Sequence, residues 1–112
     1  MIVDIKPLSV NKAWQGKRFK TKDYKNFEKS MLLLLPNNLK VSNGNLLVEL
    51  TYGFSSKLSD IDNPTKMVLD CLCKKYGFDD RQIYKLIQEK KIVQKGKEFI
   101  EFKITELDKR PS

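Results

Sequence analysis

A chain of 112 residues with 22 Lys and Arg against 14 Asp and Glu carries a formal charge of +8 and contains no histidine. That length holds one domain with one core, and the missing imidazole excludes Ser-His-Asp and Cys-His nucleophilic schemes, histidine zinc sites and histidine general bases. The longest apolar run, residues 31–35, is far short of the ~18 residues a membrane span needs. Residues 1–5 lack the basic start of a secretory signal, so we expect a soluble cytoplasmic protein.

In chain order, Ile2, Val3 and Ile5 predict a short strand that stops before Pro7. Residues 7–20 show no clean period and read as a loop. Thr21 then suits an N-cap. Tyr24, Phe27, Met31, Leu34 and Leu35 recur at helical spacing until Pro36 ends the run. Asn37-Asn38 and residues 42–45 are turn chemistry. A second strand covers residues 46–52, with Leu46, Val48 and Leu50 on one face. After a loop over 53–59, Asn63 is the expected N-cap of a second helix, with Pro64 at its first position. Val68, Leu69, Leu72 and Tyr76 form its apolar stripe, and Gly77 its stop. Cys71 and Cys73 sit on that helix about 200° apart, so they cannot bridge and read as buried thiols.

Residues 82–91 fit either a helix capped by Asp80 or a strand carrying large side chains on both faces. The last run favours the strand. Ile100, Phe102 and Ile104 alternate with Phe99, Glu101 and Lys103, and Lys95-Gly96 reads as the turn of a hairpin whose first arm is 82–94. The expected order is β-α-β-α-β-β, a mixed α/β (α+β) fold with two helices packed on a small four-stranded mixed sheet. One domain would span residues 1–107, followed by a frayed charged tail over 108–112.

Charge is unevenly placed. Residues 12–25 set Lys12, Lys17, Arg18, Lys20, Lys22 and Lys25 against Asp23, a local +5, and residues 85–97 set five lysines against Glu89, a local +4. Two basic clusters point to a nucleic-acid backbone, although a solvated basic surface reads the same way. Trp14 and Phe19, among the first cluster, offer faces for stacking on exposed bases or packing at the core edge.

Between the clusters lies acid. Asp60-Ile61-Asp62-Asn63-Pro64-Thr65-Lys66 precedes a helical run, and Gly77-Phe78-Asp79-Asp80 follows it. In extended backbone, Asp60 and Asp62 project to one side. If the chain returned Asp80 to them, three converging carboxylates would repel unless a cation sat among them. Oxygen-only donors select a hard ion such as Mg²⁺ or Mn²⁺, whose bound water is a ready nucleophile. Lys66, one turn into the helix, would face a phosphate oxygen. The alternative is structural: turn and cap residues, with Lys66 in an i,i+4 pair with Asp62 or Asp70 worth about 0.3–0.5 kcal/mol.

The string Asp60-x-Asp62-Asn63-x-x-Lys66, then Leu69-Asp70-x-Leu72, then Asp79-Asp80-x-Gln82-Ile83 and Lys90, resembles the RusA-like family of Holliday junction resolvases. Pro7-Leu8-Ser9-Val10-Asn11 is similar to that family's amino-terminal signature, so the likeness spans roughly residues 5–105. The resemblance implies a homodimeric, Mg²⁺-dependent endonuclease, often phage or prophage encoded, that resolves four-way DNA junctions by paired symmetric nicks in a bacterial host cell. By position it makes Asp60, Asp62 and Asp80 the metal-binding and catalytic carboxylates and Lys66 the catalytic lysine, with Asp79 a bystander. Asn63, Gln82 and Lys90 match recurring positions that support the site or contact DNA. Asn11, Lys12, Trp14, Lys17, Arg18, Lys20 and Lys90 are the expected nucleic-acid contacts. Pro64 departs from the aliphatic residue that family members often carry there, which a first helical position tolerates. The rival readings are a non-catalytic junction-binding architectural protein and a generic or RNA-directed nuclease. Residues 31–35 are a candidate dimer surface or part of a core helix.

Overall fold

A computed structural model describes residues 1–8, 14–15 and 19–107. Strand β1 (Ile2–Val3) is followed by a short antiparallel pair, β2 (Trp14–Gln15) and β3 (Phe19–Lys20), inside the segment expected to be loop. Helix α1 (Lys22–Leu34) begins where Thr21 caps it, the threonine hydroxyl accepting from the Tyr24 N–H at 3.2 Å. Strand β4 (Leu46–Phe54), helix α2 (Thr65–Tyr76), a single 3₁₀ turn (Asp80–Gln82), β5 (Ile83–Ile92) and β6 (Phe99–Glu106) complete the order. Gly77 ends α2 in the left-handed region at φ 70°, its N–H bonded to the Cys73 carbonyl, as its lack of a Cβ allows.

The four main strands lie in the order β1-β6-β4-β5. β4 runs parallel to β5, with α2 as the crossover, and antiparallel to β6. The sheet is therefore mixed, and the expected composition of two helices and four strands holds. The expected hairpin between β5 and β6 does not form, because β4 lies between them. Burial explains the choice. Ile100 and Phe102 of β6 are completely or almost completely buried, whereas β5 carries Lys85, Glu89, Lys90 and Lys91 exposed. The apolar strand takes the interior place and the charged one the edge. Crossing over β4 means stepping about 10 Å sideways. The segment 93–98 does this with a turn closed by Lys97 N–H on the Gln94 carbonyl and Gly96 at φ 93°.

One hydrophobic cluster joins the layers. Tyr24, Phe27 and Met31 of α1 and Met67, Val68, Cys71 and Leu72 of α2 meet Leu46, Val48, Leu50 and Tyr52 of β4. The alternation expected for β4 is observed as far as Tyr52, and the strand runs two residues further than foreseen, to Phe54, with its last three residues all buried. Along α1, Leu34 departs from the expected stripe. It is 52% exposed, and Leu33 is 77% exposed, while Met31 and Leu35 are buried. Residues 31–35 are thus half core and half surface. The helices are tied at their flanks by Lys74 to Glu28 and by the Tyr76 hydroxyl donating to the Pro36 carbonyl at 2.8 Å.

Candidate active site

The acidic segment leaves the end of β4 and folds as successive turns. Asn63 N–H bonds the Asp60 carbonyl at 3.3 Å, and Thr65 N–H bonds the Asp62 carbonyl at 3.2 Å. The extended backbone assumed for Asp60 and Asp62 is replaced by a turn over residues 61–64, with both aspartates exposed. The helix cap is Pro64 rather than Asn63. Its carbonyl accepts the first helical bond from Val68 N–H, and no side chain caps the end. Asp60 and Asn63 line an open cleft of about 690 Å³ whose far wall includes Asp23 and Asn26 of α1.

What fixes this loop is a set of bonds invisible in the linear sequence. Lys90 donates to the carbonyls of Lys57 at 3.3 Å and Ser59 at 2.9 Å, so its ammonium holds the residues that lead into Asp60. Beneath the loop, Thr65 is buried and its hydroxyl donates to the Gln88 side-chain carbonyl. The Tyr52 hydroxyl donates to Thr65 Oγ1 at 2.9 Å, and burial pushes its phenol pKa up, so it stays a neutral donor. This chain staples the start of α2 to β4 and β5. Lys66 is exposed and stands 4.0 Å from Asp70, which also accepts from the Tyr24 hydroxyl at 3.1 Å. The structural i,i+4 reading of Lys66 is therefore realised, at the limit of an ion pair, with the ammonium open to solvent.

Asp80 sits at the other end of α2. Its neighbour Asp79 closes a capping box, its carboxylate accepting from Arg81 N–H while Gln82 Oε1 accepts from Asp79 N–H. Gln82 also donates to the carbonyls of Ser42 and Gly44 at 3.0 and 2.9 Å, which pins the entry of β5 to the preceding turn. The bond and ion pair from Arg81 hold the Asp79 carboxyl down at about 2. Asp79 is thus committed to local structure, and Asp80 beside it is exposed. Burial first, then the carboxylates of Asp80, Asp70 and Asp79, push the Cys73 thiol up to about 11, which leaves it protonated and unsuited to nucleophilic or ligand chemistry near neutrality.

The acids therefore fall into two groups. Asp60 and Asp62 precede α2 and Asp80 follows it, and twelve helical residues span about 18 Å. Among the described residues no three His, Cys, Asp or Glu side chains gather to hold a metal. The convergence expected of Asp60, Asp62 and Asp80 does not occur within one chain. Asn11, Lys12, Lys17 and Arg18 lie outside the described residues, as do the side chains of Trp14 and Lys20 and the tail 108–112.

A mixed four-stranded sheet with two helices, an acidic turn at one end of the crossover helix and a capped aspartate at the other defines a small α/β protein without a histidine-based site. The family model for endodeoxyribonuclease RusA matches residues 7–104. The chain belongs to the RusA endodeoxyribonuclease family. No curated protein matches it. Thr65, Gln88 and Tyr52 were missed in the sequence, since only the parallel register of β5 on β4 brings Gln88 beneath the helix start. No described helix is long and apolar enough to cross a membrane.

Proposed function

We propose that this protein is a Mg²⁺-dependent, structure-selective endodeoxyribonuclease that resolves four-way DNA junctions by paired symmetric nicks, acting as a homodimer in a bacterial cytoplasm on behalf of a phage or prophage. The single observation that carries the reading is the family match over residues 7–104, joined to an exposed acidic turn in a chain of charge +8. Two-fold symmetry suits the substrate, because a dyad-related pair of sites faces opposed strands of a junction.

The oxygen-only donor set suits Mg²⁺, with Mn²⁺ as a substitute. One chain alone does not fit a three-carboxylate site, since Asp80 stands a helix length from Asp60 and Asp62. In the reading we favour, Asp60 and Asp62 of one protomer are completed by Asp80 of the other. Around that site Lys66 offers its solvent-exposed ammonium, only loosely paired with Asp70, to a phosphate oxygen, and Lys90 acts as a positioning residue by holding the turn at residues 57–59. The basic residues 12–25 and 85–97 neutralise backbone phosphates, which makes binding strongly salt dependent.

The test is a synthetic mobile four-way junction, incubated with and without Mg²⁺ and mapped on every strand, beside linear duplex and RNA. Symmetric paired nicks that require the ion support the reading. Asp62→Asn should bind the junction and not cut it, and Lys66→Ala should lose cleavage far beyond any loss of affinity. Salt-sensitive binding with no nick under any divalent ion would replace this reading with an architectural one.

A further inference from the structure

The acidic turn is anchored at two points, and both anchors stand on β5. Lys90 donates to the carbonyls of Lys57 and Ser59, just before Asp60. Gln88, two residues earlier on the strand, accepts from the hydroxyl of Thr65, just after Pro64. Residues two apart on a strand share a face and lie about 7 Å apart. Between the two anchored points the chain carries Asp60, Asp62 and Asn63.

Packing alone does not call for polar groups in these places. Gln88 pairs with Leu50 and Lys90 with Tyr52 in the parallel register, so both stand on the side of the sheet that faces the helices. A leucine at position 88 would pack there without needing a partner, whereas a half-buried amide costs free energy unless it is bonded. Thr65 makes the same point. Among the described residues it is the only buried Ser, Thr, Asn, Gln or charged residue, and it makes three bonds. Its N–H donates to the Asp62 carbonyl at 3.2 Å. Its hydroxyl donates to Gln88 and accepts from the Tyr52 hydroxyl at 2.9 Å. No side chain caps the start of α2. The first turn of that helix, and Lys66 with it, is therefore held from the sheet through Thr65. A fully bonded polar network rigidifies the groups it joins.

From these bonds we propose that Gln88, Thr65 and Tyr52 are positioning residues for strand cleavage. With Lys90 they clamp both ends of the acidic turn to the sheet and hold Asp60, Asp62 and Lys66 in one arrangement. The inference rests on the nuclease reading above and adds three residues to it. None of the three contacts the phosphate; each acts through the backbone of the turn and the start of α2. Their loss should fall on the rate and on the demand for Mg²⁺. Junction affinity, carried by the basic residues, should hold.

The experiment has two arms on the full chain. The first needs no activity and measures backbone ¹⁵N relaxation in EDTA. In wild type the order parameters of residues 60–64 should match those of β4, about 0.85, and in Gln88→Met and Thr65→Val they should fall toward about 0.6 while β4 and β6 keep theirs. The second arm measures nicking of a four-way junction at saturating substrate across a Mg²⁺ titration. Both variants should lose about tenfold or more in kcat and need more Mg²⁺ for half-maximal rate, with the junction dissociation constant unchanged. Thr65→Ser keeps the hydroxyl and should restore both readouts. Gln88→Met lies on the edge strand and leaves the Tyr52–Thr65 bond in place, so it reports even if Thr65→Val folds poorly. Wild-type kcat in both variants overturns the proposal, as does a loss matched by an equal loss of affinity or one that Thr65→Ser does not restore. If wild type nicks no substrate, the nuclease reading fails by itself. The relaxation arm then decides the clamp, and unchanged order parameters in both variants overturn it.

Discussion

If each active site is shared between protomers, two inactive variants should repair one another. Asp62→Asn and Asp80→Asn each remove one carboxylate, and each alone should fail to nick a junction. A mixed dimer carries one site with both substitutions and one with neither. Random assembly makes about half of the dimers mixed, so about a quarter of all sites are wild type. The two proteins are co-expressed with different tags, the mixed species is purified through both, and nicks are mapped on an end-labelled four-way junction. The purified mixed dimer should show roughly half the wild-type rate of single nicks and almost no paired nicks. The ends of α2 are about 18 Å apart, whereas ligand oxygens must each lie about 2.1 Å from a Mg²⁺ ion. No rotamer of Asp80 closes that gap within a chain. Mixed dimers as inactive as the parents would show that the site does not draw Asp80 from the second protomer.

Three further outcomes test the surroundings of the site. Lys90→Met keeps the aliphatic stem but loses both bonds to the Lys57 and Ser59 carbonyls; nicking should fall at least tenfold at saturating junction, while melting temperature and dimer mass hold. At Gly53 an added Cβ would overlap the Phe99 ring that lies against it, so Gly53→Ala should cost about 1–3 kcal/mol in urea unfolding. Asp79, held down at about 2 by Arg81, has a depressed folded-state pKa. Its contribution is therefore complete above the ordinary carboxylate range and is lost as pH falls through about 2. Relative to Asp79→Asn, wild type in EDTA should lose stability between pH 5 and pH 2, and parallel denaturation curves at those pH values check it.

What could be read from the chain follows from which interactions are local. Caps and periods are local, so Thr21, Gly77 and the alternation of Leu46, Val48 and Leu50 were legible. Sheet order is not. The same apolar alternation in Ile100, Phe102 and Ile104 fits a hairpin partner of β5 or an interior neighbour of β4, and only competition for the buried position decides. Asn63 before Pro64 had the composition of a cap, but the turn bonded through Asp60 and Asp62 shifted the start of α2 past it. The acidic set was named from its motif, yet its separation follows from a parallel β4-α2-β5 crossover that puts the residues before and after α2 at opposite ends of the sheet. Lys90 was read as a residue that supports the site or contacts DNA, and its bonds to the Lys57 and Ser59 carbonyls were not legible because a lysine in a basic run carries no mark of a backbone carbonyl within its reach.

That separation has a consequence for assembly. Three carboxylates built into one small chain would repel each other before any cation arrived, and folding would depend on the ion. If instead Asp80 meets Asp60 and Asp62 only across a dimer, each protomer would fold without metal, and the repulsion would arise only when two protomers met. In that reading metal binding and dimerisation would be linked, because an ion that binds the dimer and not the monomer draws the equilibrium toward the dimer. Saturating Mg²⁺ should therefore lower the dimer dissociation constant of the wild type by at least tenfold, measured by sedimentation with and without EDTA. Asp80→Asn removes a ligand and its repulsion together, so its dimer should form in EDTA and show little further response to Mg²⁺. An association constant in wild type that is indifferent to the ion would mean that the carboxylates do not meet across the dyad.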